Sequence, residues 1–352
     1  MTYKIPDTEA KKKVIEACGM LVSQGLVART WGNVSARISD TEFVVTPSGR
    51  AYETLTEDEI VTVKIDDCSY EGDVKPSSEK GIHADLYKLR PDVNFVIHTH
   101  QVYASALGIT GRDLDIAGED AVNILGAKVP CAKYGLSSTD TLRSNVREAF
   151  ESNPGAVAVL MRSHGVVCAG TDSDEVFNTA LTLESVARSR LCGICGKIPE
   201  KSDGTQCYEI FERGTESVAA ESIMPLLNDE RRCAILSSTP FTLKMSRFGR
   251  KLTPYIDDQA QIAGTCIRSA APDASSVEIR DALGRNSAVF LKGRGALCFG
   301  ADEAEAMAVC MVLEKGCVAA YYAANTADAQ PVGSLSALIE RIVYVKKYSK
   351  MK

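Results

Sequence analysis

Histidine and tryptophan are scarce in this chain of 352 residues, with four of the first and one of the second. Positive charge is not in excess either. Forty Lys and Arg stand against 46 Asp and Glu, a net charge of -6. That balance argues against a nucleic-acid partner and against docking on an acidic membrane surface. No uninterrupted apolar run approaches the ~20 residues of a membrane span. The opening MTYKIPDTEAKKKVIEACGM lacks the apolar centre of a signal peptide and runs straight into an amphipathic pattern. Twelve cysteines without an export signal fit buried thiols in a reducing cytoplasm. Cys192 and Cys195 form the only CxxC. With Cys207 it reads as a redox or metal set, and alone as the end of a buried helix. A composition of 45% hydrophobic and 24% charged residues is that of an ordinary globular protein. The length admits one large domain or two ordinary ones.

What the chain does contain is concentrated between Pro76 and His100, PSSEKGIHADLYKLRPDVNFVIHTH. Three of the four histidines (His83, His98, His100) fall there. The apolar run from Val93 to Ile97 reads as a strand leading into His98-Thr99-His100. Alternate strand residues share a face, so His98 and His100 project side by side. Two imidazoles so placed are half of a divalent transition-metal site. The fourth histidine, His164, ends a second apolar-then-turn segment that runs from Ala156 to Gly165.

The preceding segments supply polar groups. A helix from Asp7 to Gly25, capped by Asp7 or Thr8, buries Val14, Ile15, Cys18, Met20, Leu21 and Leu26. Trp31 to Arg37 is a glycine-asparagine turn entering a strand. Glu42 to Gly49 is a strand ending in the turn Thr46-Pro47-Ser48-Gly49, whose backbone amides are expected to be free. Ile60 to Ile65 is a third strand. Ser77, Ser78 and Glu79 open a helix through Leu89. Hydroxyls and orphan amides at a helix start favour an anion. Asn33, Ser48, Gly49, Ser77 and Ser78 are therefore candidate phosphate ligands, unless Ser77 only caps the helix and Thr46–Gly49 is only a hairpin corner. Glu79 shares that pocket. His83 lies one helical turn further on the same face, where it either supports the site or covers the helix.

Five separated motifs now stand in order: Gly32-Asn-Val-Ser35, Thr46-Pro-Ser-Gly49, Pro76-Ser-Ser-Glu79, His98-Thr-His100 and Ser163-His-Gly165. Over about residues 5 to 200 this pattern resembles the class II aldolase/adducin family, which includes fuculose-phosphate aldolases and ribulose-phosphate 4-epimerases. The resemblance implies an α/β/α sandwich around a mostly antiparallel sheet. It implies zinc, or another divalent transition metal, on His98, His100 and His164. It makes Glu79 a metal neighbour and the acid/base, and it makes Asn33, Ser48, Gly49, Ser77 and Ser78 the phosphate pocket. One departure stands out. The tyrosine that the fuculose-phosphate aldolases place upstream of the segment matching Val129–Ala132 is missing, and Glu119 and Asp120 occupy that neighbourhood. The epimerases use an aspartate there, which makes Asp120 a second candidate acid/base.

The chemistry suits these residue types independently. Cleaving a C–C bond beside a ketone generates an enediolate, and a metal held by neutral imidazoles stabilises that charge as a Lewis acid. A carboxylate at the same place shuttles the proton, and an anion anchor fixes the substrate.

The rest of the chain contains an internal repeat. Residues 90–126 align with 228–264 at an offset of 138, and Val159–Glu184 aligns with Val289–Glu314 at an offset of 130. In the second copy Leu236, Ser238 and Arg294 stand where the first has His98, His100 and His164. The expected organisation is a catalytic domain over 1–213 and a shortened, metal-free repeat of the same fold over 214–352, connected through 196–214. A loop over Asn325–Gly333 precedes a last helix, Leu335–Val345.

The expected activity is a metal-dependent lyase on a sugar phosphate or similar hydroxy-ketone, with an epimerase as its near variant. A zinc hydrolase, with Glu79 activating a bound water, and a non-catalytic, adducin-like scaffold are the other readings. The repeat also suggests a homo-oligomer in which two chains form a pseudo-tetramer. In it, Tyr255, Asp257 and Asp258 of the second copy would face a catalytic pocket.

Overall fold

The computed structural model describes residues 5–27, 31–196, 207–212 and 220–348. The chain packs as two compact units, Met1–Arg190 and Leu191–Lys350, with Met351–Lys352 grouped with the first.

The first unit is built on a seven-stranded sheet. Its strands are β1 (Gly32–Arg37), β2 (Glu42–Val45), β3 (Val61–Lys64) and β4 (Phe95–Thr99), and later in the chain β7 to β9. A separate two-stranded pair, β5 (Leu114–Asp115) and β6 (Lys128–Val129), lies between them in sequence. It is followed by β7 (Cys131–Ala132), β8 (Ala158–Met161) and β9 (Gly165–Gly170). The order across the sheet is β3-β2-β1-β4-β9-β8-β7, and every pairing is antiparallel except β7 with β8. This is the mixed α/β architecture with a mostly antiparallel central sheet that the motifs imply.

Helices follow the apolar spacing. In α1 (Asp7–Ser23) the buried positions are Ala10, Val14, Ala17, Cys18 and Leu21, one stripe of a 3.6-residue repeat. Ile15 and Met20 are only half-buried, because the two alanines occupy the contact line. Pro6, not Asp7 or Thr8, holds the N-cap position, and Asp7 and Glu9 lie in the first turn, where the helix dipole favours them. In α2 (Lys80–Leu89) and α5 (Asp140–Glu151), Ile82, Leu86, Tyr87, Leu142, Val146 and Phe150 join Phe43, Val45, Val96 and Val167 of the sheet in one core. Between these two helices the chain forms α3 (Val102–Gly108) and α4 (Glu119–Leu125), and beyond β9 comes α6 (Ser173–Cys195). Cys192 and Cys195 lie in the last turn of α6, and all twelve cysteines are free thiols.

The second unit has a five-stranded sheet: β10 (Tyr208–Glu212), β11 (Cys233–Ser237), β12 (Ser269–Ala270), β13 (Ala288–Leu291) and β14 (Gly295–Gly300). Its order is β10-β11-β14-β13-β12, antiparallel except β12 with β13. β1-β4-β9-β8-β7 has the same order and the same directions. The registers agree as well. His98 pairs with Val167 across β4 and β9, and Leu236 pairs with Leu297 across β11 and β14, as the offsets of 138 and 130 require. A third correspondence is chemical. Glu184 accepts from the amides of Tyr103 and Ala104 at 2.8 and 2.9 Å, and Glu314 accepts from those of Phe241 and Thr242 at 2.9 and 2.7 Å.

Two expectations for this half need correction. The stretch 196–214 is not only a connection, since β10 lies inside it and forms the edge of the sheet. The rest of that stretch falls mostly outside the described residues. The helices here are α7 (Ala220–Ile223), α8 (Pro240–Ser246), α9 (Ser276–Leu283), α10 (Glu303–Ala323) and α11 (Ser334–Val343). By length and composition α10 is apolar enough to cross a membrane, and most of it is buried. Val309, Leu313, Cys317 and Tyr322 mark it as a core helix. Glu314 and Lys315 interrupt its apolar run, so no uninterrupted apolar stretch marks it in the sequence.

The segment around Asp258 is also placed differently. Asp257 and Asp258 are buried, and Asp258 is ion-paired to Lys315 at 2.7 Å within the second unit. Neither aspartate is presented outward, as facing another chain's pocket would demand.

Candidate metal centre and active site

The site forms where β4 ends beside β1 and β9. Asn33 of β1 lies opposite His98 of β4, and Val167 of β9 lies opposite His98 on the other side. Two glycines allow this approach. A Cβ at Gly32, whose φ is +118°, would come 2.6 Å from the His98 carbonyl oxygen. One at Gly165 would come 2.4 Å from the Thr99 oxygen and 3.0 Å from the His98 ring. The turn before β9 carries Ser163 in the left-handed region at φ 59°, and the His164 amide donates to the Met161 carbonyl at 3.0 Å. A non-glycine residue in that conformation is uncommon, and here it delivers His164 to the end of β4. β4 itself stops at Thr99, so His100 reaches the cluster from just beyond the strand.

The three rings meet as the His-x-His spacing and the His-Gly turn suggest. His98 and His164 stack at 5.2 Å, and His100 stands edge-on to both at 4.8 Å. One ring nitrogen from each lies within 4.8 Å of the others. The Nε2 atoms of His98 and His100 are 3.1 Å apart. Nδ1–H of His98 donates to the Val166 carbonyl at 2.8 Å. That bond selects the tautomer and leaves the Nε2 lone pair facing the cluster. Burial pushes His98 well below the usual histidine range, against the pull of Glu79, so its ring is neutral as ligation requires. Three converging imidazoles beside a carboxylate fit a divalent transition-metal ion.

Glu79 takes the N-cap position of α2, and its carboxylate spans the cluster. One oxygen is 3.3 Å from His98 Nε2 and the other is 3.3 Å from His164 Nε2. Burial alone would raise its pKa. His164, then His98 and His100, override that and hold it well below the usual carboxylate range.

The anion-pocket candidates divide into groups. Ser77 Oγ accepts from the Glu79 amide at 3.2 Å, Asn33 Nδ2 donates to Glu79 at 3.5 Å, and Ser78 Oγ is 2.8 Å from Ser138 Oγ. Of these three, Asn33 meets the carboxylate itself. Ser48 and Gly49 belong to a turn tied to the same segment. The Ser48 amide donates to Lys75, the Ser77 amide donates to Thr46, and Pro47 bridges Pro76. The Ser48 amide is therefore engaged, contrary to the expectation of free amides there. Asp120 is exposed in the first turn of α4, and among the described residues it makes no hydrogen bond to the histidines or to Glu79.

Ser137, Ser138 and Tyr87 lie outside the five motifs. Ser137 Oγ lies 3.4 Å from His164 Nδ1, and the Ser138 amide donates to Glu79 at 3.3 Å. Ser138 is itself left-handed, at φ 60°. A cavity of about 170 Å³ opens beside Ser78, Glu79, Ser138 and Arg143. Behind Asn33 lie His83, Ser35 and Tyr87, all buried and hydrogen-bonded in series.

With this fold and this site in place, the class is that of an aldolase-type protein. The family described as class II aldolase and adducin N-terminal domain matches residues 12–191, and the chain belongs to it. Solved structures similar to part of the chain include an L-fuculose 1-phosphate aldolase at 29% identity, covering 53% of this chain and 86% of that one, with a TM-score of 0.49. The L-fuculose-1-phosphate aldolase of Thermus thermophilus is 24% identical over 53% of this chain and 96% of its own, with a TM-score of 0.45. A sugar-phosphate aldolase from Thermotoga maritima is 19% identical over 54% of this chain and 97% of its own, again with a TM-score of 0.45.

Proposed function

We infer that the first unit is a zinc-dependent lyase that makes or breaks a C–C bond in a phosphorylated hydroxy-ketone. The observation that carries this reading is the Glu79 carboxylate lying 3.3 Å from both His98 and His164. His98, His100 and His164 hold the cation. When bound, a divalent ion supplies Lewis-acid polarisation of a substrate carbonyl. Glu79 moves the proton, since it is ionised, buried and beside the reacting position. Asn33, Ser77 and Ser78 orient the substrate's anionic end next to that carboxylate. The exposed place of Asp120 favours Glu79 over it as the acid/base.

The second unit is read as a metal-free copy of the same fold, over about 214–352 with β10 added to it. Support comes from the shared strand order, the two shared registers and the paired Glu184 and Glu314 contacts. Its chemistry is gone. Leu236 occupies the register of His98, and Arg294, where His164 would stand, is exposed.

The test is elemental analysis of the purified protein followed by aldol-cleavage assays on a panel of ketose phosphates. One equivalent of zinc per chain and cleavage of a phosphorylated ketose are expected. A metal-loaded protein that cleaves none of them would overturn the lyase reading.

A further inference from the structure

Behind the pocket, four buried side chains continue from Glu79 in a single line: Asn33, His83, Ser35 and Tyr87. The first strand and the second helix supply them in pairs. Asn33 and Ser35 alternate on one face of β1, and His83 and Tyr87 are one turn apart on α2. Each link is within hydrogen-bond reach. Asn33 Nδ2 is 3.5 Å from Glu79, Asn33 Oδ1 meets His83 Nε2, Ser35 Oγ is 2.6 Å from His83 Nδ1, and Tyr87 OH is 2.7 Å from Ser35 Oγ.

The direction of every bond in the line follows from its end. The amide of Asn33 sets Nδ2, a donor, at Glu79 and Oδ1, an acceptor, at His83. That oxygen requires a donor, so His83 carries its proton on Nε2. A neutral ring protonated there leaves Nδ1 as an acceptor, which takes the Ser35 hydroxyl proton. Ser35 then accepts from Tyr87. The ring is neutral because burial pushes His83 down to about 3.

We propose that Tyr87, Ser35 and His83 are positioning residues that latch the Asn33 amide with its two N–H donors toward the pocket. One donor holds Glu79, and the second is aimed at the substrate's anion. Were the amide to flip, it would present its oxygen to the carboxylate and to the substrate's negative charge. Tertiary packing alone does not prevent this, since amide oxygen and nitrogen are nearly the same size. The line opposes it, because a flipped amide would set two donors against each other at His83, and relieving that clash requires His83 to change tautomer and the Ser35 and Tyr87 hydroxyls to turn with it. This inference rests on the reading of Asn33 as an anion ligand given above.

Two measurements test it on the full zinc-loaded chain. Long-range ¹H–¹⁵N spectra at neutral pH report the tautomer of each histidine, with His83 assigned from the spectrum of His83→Phe. The expected result is a neutral His83 protonated on Nε2. A ring protonated on Nδ1 would overturn the latch. In the second measurement, calorimetry follows the binding of inorganic phosphate. His83→Phe keeps the ring volume and removes the donor, and should weaken phosphate about tenfold, as expected for losing a well-aimed hydrogen bond to a charged group. His83→Gln, which can again donate to Asn33, should recover most of that loss. Zinc affinity should change little in either variant, whereas general damage to the site would lower both. Wild-type phosphate affinity in His83→Phe would overturn the proposal. If the unaltered protein binds no phosphate, the anion-pocket reading fails instead, and the His83 tautomer still decides the latch.

Discussion

The carboxylate of Glu79 stands 3.3 Å from the Nε2 of His98, and each of the two buried groups changes what the other can do. His164 above all keeps Glu79 ionised in surroundings that would otherwise protonate it, and burial keeps His98 neutral beside a charge that would otherwise protonate it. A proposed base and a proposed metal ligand thus coexist at contact distance.

Replacing Glu79 by Gln keeps the shape and removes the base. Turnover should fall by ~10²–10⁴ while substrate affinity stays close to that of the unaltered protein. Steady-state kinetics separate the two. Unchanged turnover would reduce Glu79 to a helix-start residue.

His98→Ala removes a ligand and not merely a supporting partner. Zinc affinity in a chelator competition should drop by more than the ~10–100-fold typical of an outer-shell loss. Far-ultraviolet circular dichroism should stay unchanged. Full zinc occupancy in a variant lacking His98, His100 and His164 together would put the metal elsewhere.

Ser77→Ala combined with Ser78→Ala should raise KM for phosphorylated ketoses far more than for their unphosphorylated analogues. An equal rise for both would assign the hydroxyls to folding, because Ser77 Oγ already holds the Glu79 amide.

Acid should destabilise the metal-free protein through His83. Its folded pKa, about 3, lies below the ordinary histidine value, so the unfolded chain binds the extra proton. Its contribution is present above about pH 6.5 and is lost as pH falls toward about 3, at up to ~1.4 kcal/mol per pH unit. Urea unfolding from pH 4 to 7 should therefore show a shallower pH dependence in His83→Phe than in the unaltered protein. Identical slopes would mean that His83 is not buried neutral.

In the second unit Lys315→Met leaves Asp258 buried without that ammonium. A loss of ~3–5 kcal/mol is expected from breaking one side of a buried pair. Thermal unfolding measures it. Cleavage activity per folded molecule should be unchanged, and a selective loss of activity would tie this segment to catalysis after all.

Much of the site was legible because its signals are local. His98 and His100 sit at the end of a β-branched run, His164 precedes a glycine that the β4 contact demands, and Ser77 to Glu79 precede an apolar helix. Ser137 and Ser138 were not legible, since nothing within their own segments marks them and each meets its partner across 27 to 60 residues of sequence. Ser35 and Tyr87 did leave a trace. They are the next same-face positions after Asn33 on a strand and after His83 on a helix. Asp120, put forward by its nearness to a matched motif, lies exposed in the first turn of α4. The burial of Asp257 and Asp258 was missed because a charged pair in sequence gives no hint of a lysine 57 residues away.

The line from Tyr87 to Glu79 also sets where protons cannot go. Hydroxyls and imidazoles pass protons along by taking one and releasing another, but the amide of Asn33 does not, since its N–H groups are far too weakly acidic and its oxygen is a poor base. The chain of five groups therefore transmits orientation without conducting charge. On the side of Asn33 Glu79 is insulated, and a proton it takes up leaves toward the histidine cluster or the open pocket, never along this line.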